Sequence, residues 1–346
     1  MKKSTSRVRV AGALAIATSL ILAGCSSSVP DNQPDGTAAP FGSLEELVAA
    51  AQAEGTFTYY TSQSPGIVEL LVPAFEAEYG ITVDMLRLNS GELQQRLIAE
   101  GTSSSASIAE LPPEFFVASA DLFIDLTEAE VPALGDIAEH LVSKNSVTTS
   151  ALPWVIGYNT DLVKDVPTTW EEVVTDWSGE YLFTDPESSN GYMAFTNEVW
   201  RAFGDDLVRD MAANAGQLSN SGASAAQQIA AGEFALTIPN YPGQLTPLMA
   251  QGANVDYFLP QEPTFALPMT AGILKNAPSP ASARLFLNWL ISHDGQSALC
   301  DTGLAGSILS DDAGLEGCVE LPEGWAPYEL DVDAERRSML LDLLGR

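Results

Sequence analysis

Four short polar clusters carry most of the chemistry legible in this chain. They are Thr61-Ser62-Gln63-Ser64, Asn89-Ser90-Gly91, Ser188-Ser189-Asn190-Gly191-Tyr192 and Asn240-Tyr241-Pro242-Gly243. Each follows a predicted strand and opens a predicted helix. Hydroxyl donors beside the free backbone N–H groups of a helix start make a pocket suited to an anion. Any single cluster reads more readily as a helix cap or a turn. Four of them in the same strand-to-helix relation point to one shared cleft. The candidate ligand contacts are Ser62, Ser64, Ser90, Gly91, Ser188, Ser189, Tyr192, Asn240 and Tyr241 from these clusters, with Tyr60 just before the first of them. Tyr60 and Tyr158 have an alternative reading as core residues with a satisfied hydroxyl.

Catalytic spacings are missing. The chain has no G-x-S-x-G elbow, no phosphate-binding G-x-x-x-x-G-K-[ST] loop, no H-E-x-x-H and no G-x-G-x-x-G. His140 and His293 lie in polar, helix-like surroundings and read as surface residues. Two His and three Cys leave too few ligands for a structural zinc cluster, so no metal and no cofactor is expected. Asp and Glu occur throughout, and no pair stands out as a hydrolytic pair.

The elements that must position the clusters alternate between two periods. Ser43 with Glu46 forms a capping box for a helix that ends at Gly55. A strand over residues 56–61, a helix over 65–79, a strand over 81–86 and a helix over 90–100 follow. That order implies parallel strands with crossover helices, whose ligands sit at the strands' carboxyl ends. Residues 150–158 read as a strand containing a proline, hence a crossing segment. The pattern then restarts: strands at 181–184, 234–238, 257–259 and 272–274, and helices at 192–203, 224–231, 279–292 and 333–344. No fixed-period repeat is present. Two α/β units fit best.

Composition narrows the partners. The 346 residues include 15 Lys+Arg and 46 Asp+Glu, a formal charge of −31. Such a surface does not bind nucleic acid through general phosphate neutralisation. An apolar share of 46% argues against disorder. Lys2, Lys3, Arg7 and Arg9, a short apolar stretch and then Leu22-Ala23-Gly24-Cys25 describe an export signal over residues 1–24. Its apolar run is shorter than the roughly 20 residues that span a bilayer. Leu-Ala-Gly-Cys resembles a bacterial lipobox, which makes Cys25 the lipidated first residue, and residues 25–42 read as a flexible tether. Removing four of the 15 basic residues leaves 11 against 46 acids, formally −35. Outside the cytosol, Cys300 and Cys318 read as a disulfide, with two buried thiols as the alternative.

The strings TYYTSQSPGIVELLVPAFEAEYGITVDMLRLNSGELQQRLIAEG, VIGYNTDLV, VPTTWEEVV, FTDPESSNGY, AAGEFALTIPN and APSPASARLFLNWLISHDGQSAL resemble, in their order, the extracellular solute-binding proteins of bacterial ABC importers. The nearest group is the ferric-iron, thiamine, polyamine and phosphonate binders. The resemblance implies a type II periplasmic-binding-protein-like fold: two α/β lobes of mixed, mainly parallel sheets flanked by helices, with the ligand cleft at the hinge. It places residues 43–154 and 260–300 in one lobe, and 155–259 and 301–346 in the other. It implies a monomer that binds a small molecule and delivers it to ABC permease subunits; with the lipobox, the expected location is lipid-anchored on the outer face of the cell membrane, or in the periplasm. Iron-binding members carry adjacent tyrosines where this chain has Asn240-Tyr241-Pro242, so the second tyrosine is missing. The clusters favour a small anion, a phosphonate, a phosphate ester or an iron complex, with Arg87 or Arg96 as candidate cations. A polyamine binder is the alternative in the same role. The rival classes are a lipid-anchored hydrolase using paired carboxylates and a structural lipoprotein.

Overall fold

The computed structural model describes residues 41–260, 263–309, 314–321, 332 and 334–346. The export signal, Cys25 and most of the expected tether lie outside them. Helix α1 (Leu44–Glu54) begins as the sequence requires: Ser43 Oγ accepts from Glu46 N, and the Glu46 carboxylate accepts from Gly42 N. Gly55 ends it at φ 73°, the left-handed conformation that glycine tolerates. Then come β1 (Thr56–Thr61), α2 (Pro65–Tyr79), β2 (Thr82–Arg87), α3 (Ser90–Glu100), β3 (Ile108–Leu111) and α4 (Glu114–Ala118). The chain continues through β4 (Val142–Ser143), β5 (Ser146–Pro153), β6 (Val155–Asn159), β7 (Tyr181–Thr184), α5 (Asn190–Phe203), α6 (Asp205–Ala213) and β8 (Gln217–Ser219). It closes with α7 (Gly222–Ala230), β9 (Leu236–Asn240), α8 (Pro242–Ala250), β10 (Val255–Phe258), β11 (Ala266–Ile273), α9 (Pro280–Ile291), α10 (His293–Cys300) and α11 (Ala334–Leu343).

Two mixed sheets result. The first has the order β2-β1-β3-β11-β5-β4, and the second β10-β6-β9-β7-β8. In each, parallel pairs fed by crossover helices occupy one flank and antiparallel pairs the other. The chain passes from the first sheet to the second at Trp154, between β5 and β6, and returns before β11. The two passages lie side by side, because Trp154 N donates to Phe265 O (2.9 Å). The predicted single strand over 150–158 is thus two strands, one in each sheet. Residues 301–309 lie with the first sheet rather than the second unit, since Gly306 bridges to Ala151 of β5. Helix α11 packs against α5 and α6.

Cores back both sheets. Phe57, Phe75, Phe286 and Trp289 interlock under the first sheet, with ring centroids 4.9–6.2 Å apart. Cys300 and Cys318 form a disulfide with a sequence separation of 18. By loop entropy such a bridge contributes about 3 kcal/mol. The variant Cys300→Ser/Cys318→Ser is expected to unfold at lower denaturant by a matching amount. An unchanged midpoint under non-reducing conditions would show that the loop is already constrained. Among the described residues no helix is long and apolar enough to cross a membrane.

Candidate functional site

Five strand-to-helix turns converge on one cleft of about 530 Å³, part of it open to solvent. Thr61 ends β1, and Ser64 is the N-cap of α2. Arg87 ends β2, and Asn89 is the N-cap of α3. Ser189, Ser221 and Tyr241 are the N-caps of α5, α7 and α8. All five cap residues line the cleft. A helix start leaves backbone N–H groups unpaired and carries about half a positive charge, so five of them create a strongly anion-attracting volume. Ser189 and Ser221 spend their hydroxyls on capping, accepting from Tyr192 N and Ser224 N. Ser64 and Asn89 make no such cap bond.

Close backbone approach makes this geometry possible. A Cβ on Gly222 would lie 2.4 Å from the Tyr192 hydroxyl and 2.1 Å from the Gln244 amide oxygen. Across the cleft, a Cβ on Gly243 would meet that of Ser64 at 2.6 Å. Glycine at these positions lets the starts of α2, α7 and α8 crowd together.

The polar side chains are arranged as donors. Arg87 Nε donates to Gln63 O (2.8 Å), which fixes the guanidinium at the rim of the first-sheet loops. Burial lowers its pKa, and the nearby Tyr192 opposes that shift. A guanidinium stays charged at neutral pH regardless. Among the described residues no carboxylate lies within ion-pair distance of it. Tyr192 Oη accepts from Gly222 N (3.0 Å), and Tyr241 Oη accepts from Trp154 Nε1 (2.8 Å). Each phenol thereby keeps its own proton for a ligand oxygen. Burial raises both phenol pKa values, Tyr241 well above the ordinary value, so both stay protonated at neutral pH. The Ser62 hydroxyl and the Gln244 amide oxygen are buried without a protein partner. Leu152, Leu267, Met269 and Pro112 supply an apolar floor. Among the described residues the lining contains no Asp, Glu, His or Cys; the Glu114 carboxylate lies outside it and adds to the upward shift of Tyr241.

Of the residues expected from sequence, Ser62, Ser64, Ser90, Ser188, Ser189, Tyr192 and Tyr241 line the cleft. Tyr60, Gly91 and Asn240 do not. Strand alternation turns Tyr60 under α3, where its hydroxyl meets Ser105 Oγ (2.9 Å) and Arg96 lies over its ring at 5.3 Å. Arg96 is paired with Glu100 (2.7 Å) and is likewise outside the lining. Gly91 sits in the first turn of α3, close to the Ser188 backbone. Asn240 spends its amide on Gly222 O (3.0 Å) and Tyr241 N (2.8 Å), tying the starts of α7 and α8 together. Sequence reasoning did not single out Asn220-Ser221. The same strand-to-helix rule applies there, but β8 is only three residues long and gave no strand signal.

Beneath the first loop lies a buried carboxylate. Glu110 accepts from the hydroxyls of Tyr59, Thr61 (3.0 Å) and Thr149 (2.6 Å). Thr61 Oγ1 in turn accepts from Gln63 N (2.9 Å), so Glu110 braces the loop that carries Ser62 and Ser64. Burial raises its pKa, and the hydroxyl bonds oppose that rise. A raised folded-state pKa means that the native protein gains stability as Glu110 protonates. That gain fades as pH rises from the unfolded value, about 4.3, through the folded one. Wild type should therefore gain stability relative to Glu110→Gln as pH falls towards about 4.3. Urea unfolding of both proteins across pH checks this, and a pH-independent difference would refute it.

Comparison with known proteins adds the following. The family profile described as bacterial extracellular solute-binding protein matches residues 71–311. A protein of Salmonella typhimurium named "Putative 2-aminoethylphosphonate-binding periplasmic protein" is 22% identical over 287 residues, covering 76% of this chain and 83% of that protein. Two solved structures, each 20% identical, share the fold. Iron-bound HitA from Pseudomonas aeruginosa aligns with a TM-score of 0.62 over 84% of this chain and 98% of its own. The periplasmic binding protein AfuA from Actinobacillus pleuropneumoniae, with fructose-6-phosphate bound, aligns with a TM-score of 0.66 over 84% and 97%. The expected two-sheet architecture of type II periplasmic binding proteins is the one observed.

Proposed function

The chain belongs to the bacterial extracellular solute-binding protein family, and from that premise we propose that it captures a small solute bearing a phosphate, phosphonate or similar oxyanion and passes it to an ABC-type import permease. The observation that carries this reading is the cleft lined by five helix N-caps and Arg87, with no carboxylate among its residues. A polyamine would meet Arg87 and five helix starts there, with no carboxylate among the described lining residues to pair with its charges. A hydrolase built on paired acids would lack them. A bare ferric ion would find two protonated phenols and no acid or imidazole to complete its ligand set. The names of the relatives support the class, since one is named for 2-aminoethylphosphonate binding and one is described with fructose-6-phosphate bound.

The lobes in this proposal are the two sheets with their helices, hinged where the two passages run side by side at Trp154 and Phe265. The ligand touches both and favours the closed arrangement by as much as it prefers closed over open. The formal −35 of the exported chain repels an anion at long range. Salt screens that repulsion beyond about 8 Å, and the donors act inside that distance. Lipidation at Cys25 keeps the binder near its permease.

Calorimetry and thermal shift against inorganic phosphate, fructose 6-phosphate, 2-aminoethylphosphonate, ferric citrate and spermidine test the reading. At least one phosphorus oxyanion is expected to bind and to raise the melting temperature, with no turnover. Binding of spermidine alone would overturn it.

A further inference from the structure

Asp185 and Glu187 are the acids nearest in sequence to the ligand-facing Ser188 and Ser189. Asp185 is also the hub of two cleft loops. Its carbonyl accepts from Ser188 N (3.0 Å) and Ser188 Oγ (2.6 Å), its carboxylate accepts from Glu187 N (2.9 Å), and its N donates to Ser219 O (2.8 Å). Two negative charges at this point work against an anion bound a few residues away. A single cation meets both of them. Arg346, just beyond α11, donates from Nη1 to Asp185 Oδ2 (3.3 Å) and from Nη2 to the Glu187 carboxylate. The Asp185 side chain is only 11% exposed, so this pair is shielded from solvent more than an ordinary surface bridge. The arginine is held in reach because Leu340 and Leu344 of the same segment are buried and Arg346 N donates to Leu341 O (2.9 Å).

We propose that Arg346 is a positioning residue for the anion subsite: it neutralises Asp185 and Glu187 and pins the Ser188–Ser189 loop against the cleft. The inference rests on the anion reading above. It makes affinity depend on a residue outside the cleft lining, carried by a helix that packs behind the second sheet.

The test compares wild type, Arg346→Gln, Arg346→Lys and the double variant Arg346→Gln/Glu187→Gln. The probes are inorganic phosphate, fructose 6-phosphate and 2-aminoethylphosphonate. Arg346→Gln is expected to bind about five- to tenfold more weakly at low ionic strength, with the deficit shrinking as salt rises. Arg346→Lys should keep much of the affinity. The double variant should recover most of it, because removing the Glu187 charge removes part of the repulsion. A purely mechanical latch would be lost in the double variant and would not recover. Buried Leu340 and Leu344 keep α11 docked in all variants, which unchanged melting temperatures verify. Wild-type binding with Arg346→Gln unaffected, or a deficit that neither salt nor Glu187→Gln relieves, overturns this inference alone. Wild type binding none of the three probes overturns the anion reading and this inference with it.

Discussion

Arg87→Gln is expected to weaken oxyanion binding by about thirtyfold or more while leaving the empty protein as stable as wild type. Truncating one member of a desolvated charge pair costs about 2–5 kcal/mol, and each 1.4 kcal/mol is a factor of ten in affinity. Arg87 qualifies because it is partly buried at the cleft, is aimed by Gln63 O, and has no carboxylate partner among the described residues. Its positive charge is thus available to a ligand and is not consumed by the fold. Stability should barely change, since the substitution breaks one hydrogen bond to a backbone carbonyl and strands no buried acid. Arg87→Lys separates charge from shape. Lysine restores a point charge but not the planar fork that matches two oxyanion oxygens, so partial recovery is expected. Calorimetry with the phosphorus probes reads all three proteins. If Arg87→Gln binds as wild type does, the helix starts carry the anion unaided, and Arg87 only shapes the loop.

The cleft was more legible than the hinge, for a physical reason. Helix starts announce themselves locally: Ser64 before Pro65, Ser189 before Asn190 and Tyr241 before Pro242 each mark a cap next to a residue that opens a helix. A strand that ends in such a cap must present it at the sheet's carboxyl edge, so the site residues could be gathered without a structure. What failed depended on facing and on pairing. Tyr60 lies one residue from Thr61, and the two-residue period of β1 sends its ring under α3. Asn240 stands at the right edge but is consumed by Gly222 and Tyr241, a long-range contact that no local pattern encodes. Helix α6 carries no separate signal because it follows α5 directly after Gly204. Residues 301–309 lie with the first sheet and not with the second unit as the pattern implies, because an isolated bridge from Gly306 to Ala151 leaves no hydrophobic period to read.

Trp154→Ala is expected to cost about 3–5 kcal/mol of stability, the range for truncating a buried tryptophan. The side chain is fully buried between the two sheets' passages, with Phe195 at 5.5 Å and Tyr241 at 6.2 Å between ring centroids. It sits where β5 of the first sheet hands over to β6 of the second, so the cavity would open at the hinge itself. Its indole also gives Tyr241 the hydrogen bond that leaves the phenol proton for ligand. These two roles separate in large part in Trp154→Phe, which keeps most of the apolar volume while removing the indole N–H and part of the fused ring. That variant should lose much less stability than Trp154→Ala. Its affinity should still fall by a few-fold, because Tyr241 loses the donor that orients it and its hydroxyl is left buried with one partner fewer, a loss of about 1 kcal/mol. Urea unfolding and calorimetry on the same preparations read the two roles independently. If Trp154→Phe binds as tightly as wild type, Tyr241 is held by ring packing against Tyr192 and Trp154, and the indole serves the hinge alone.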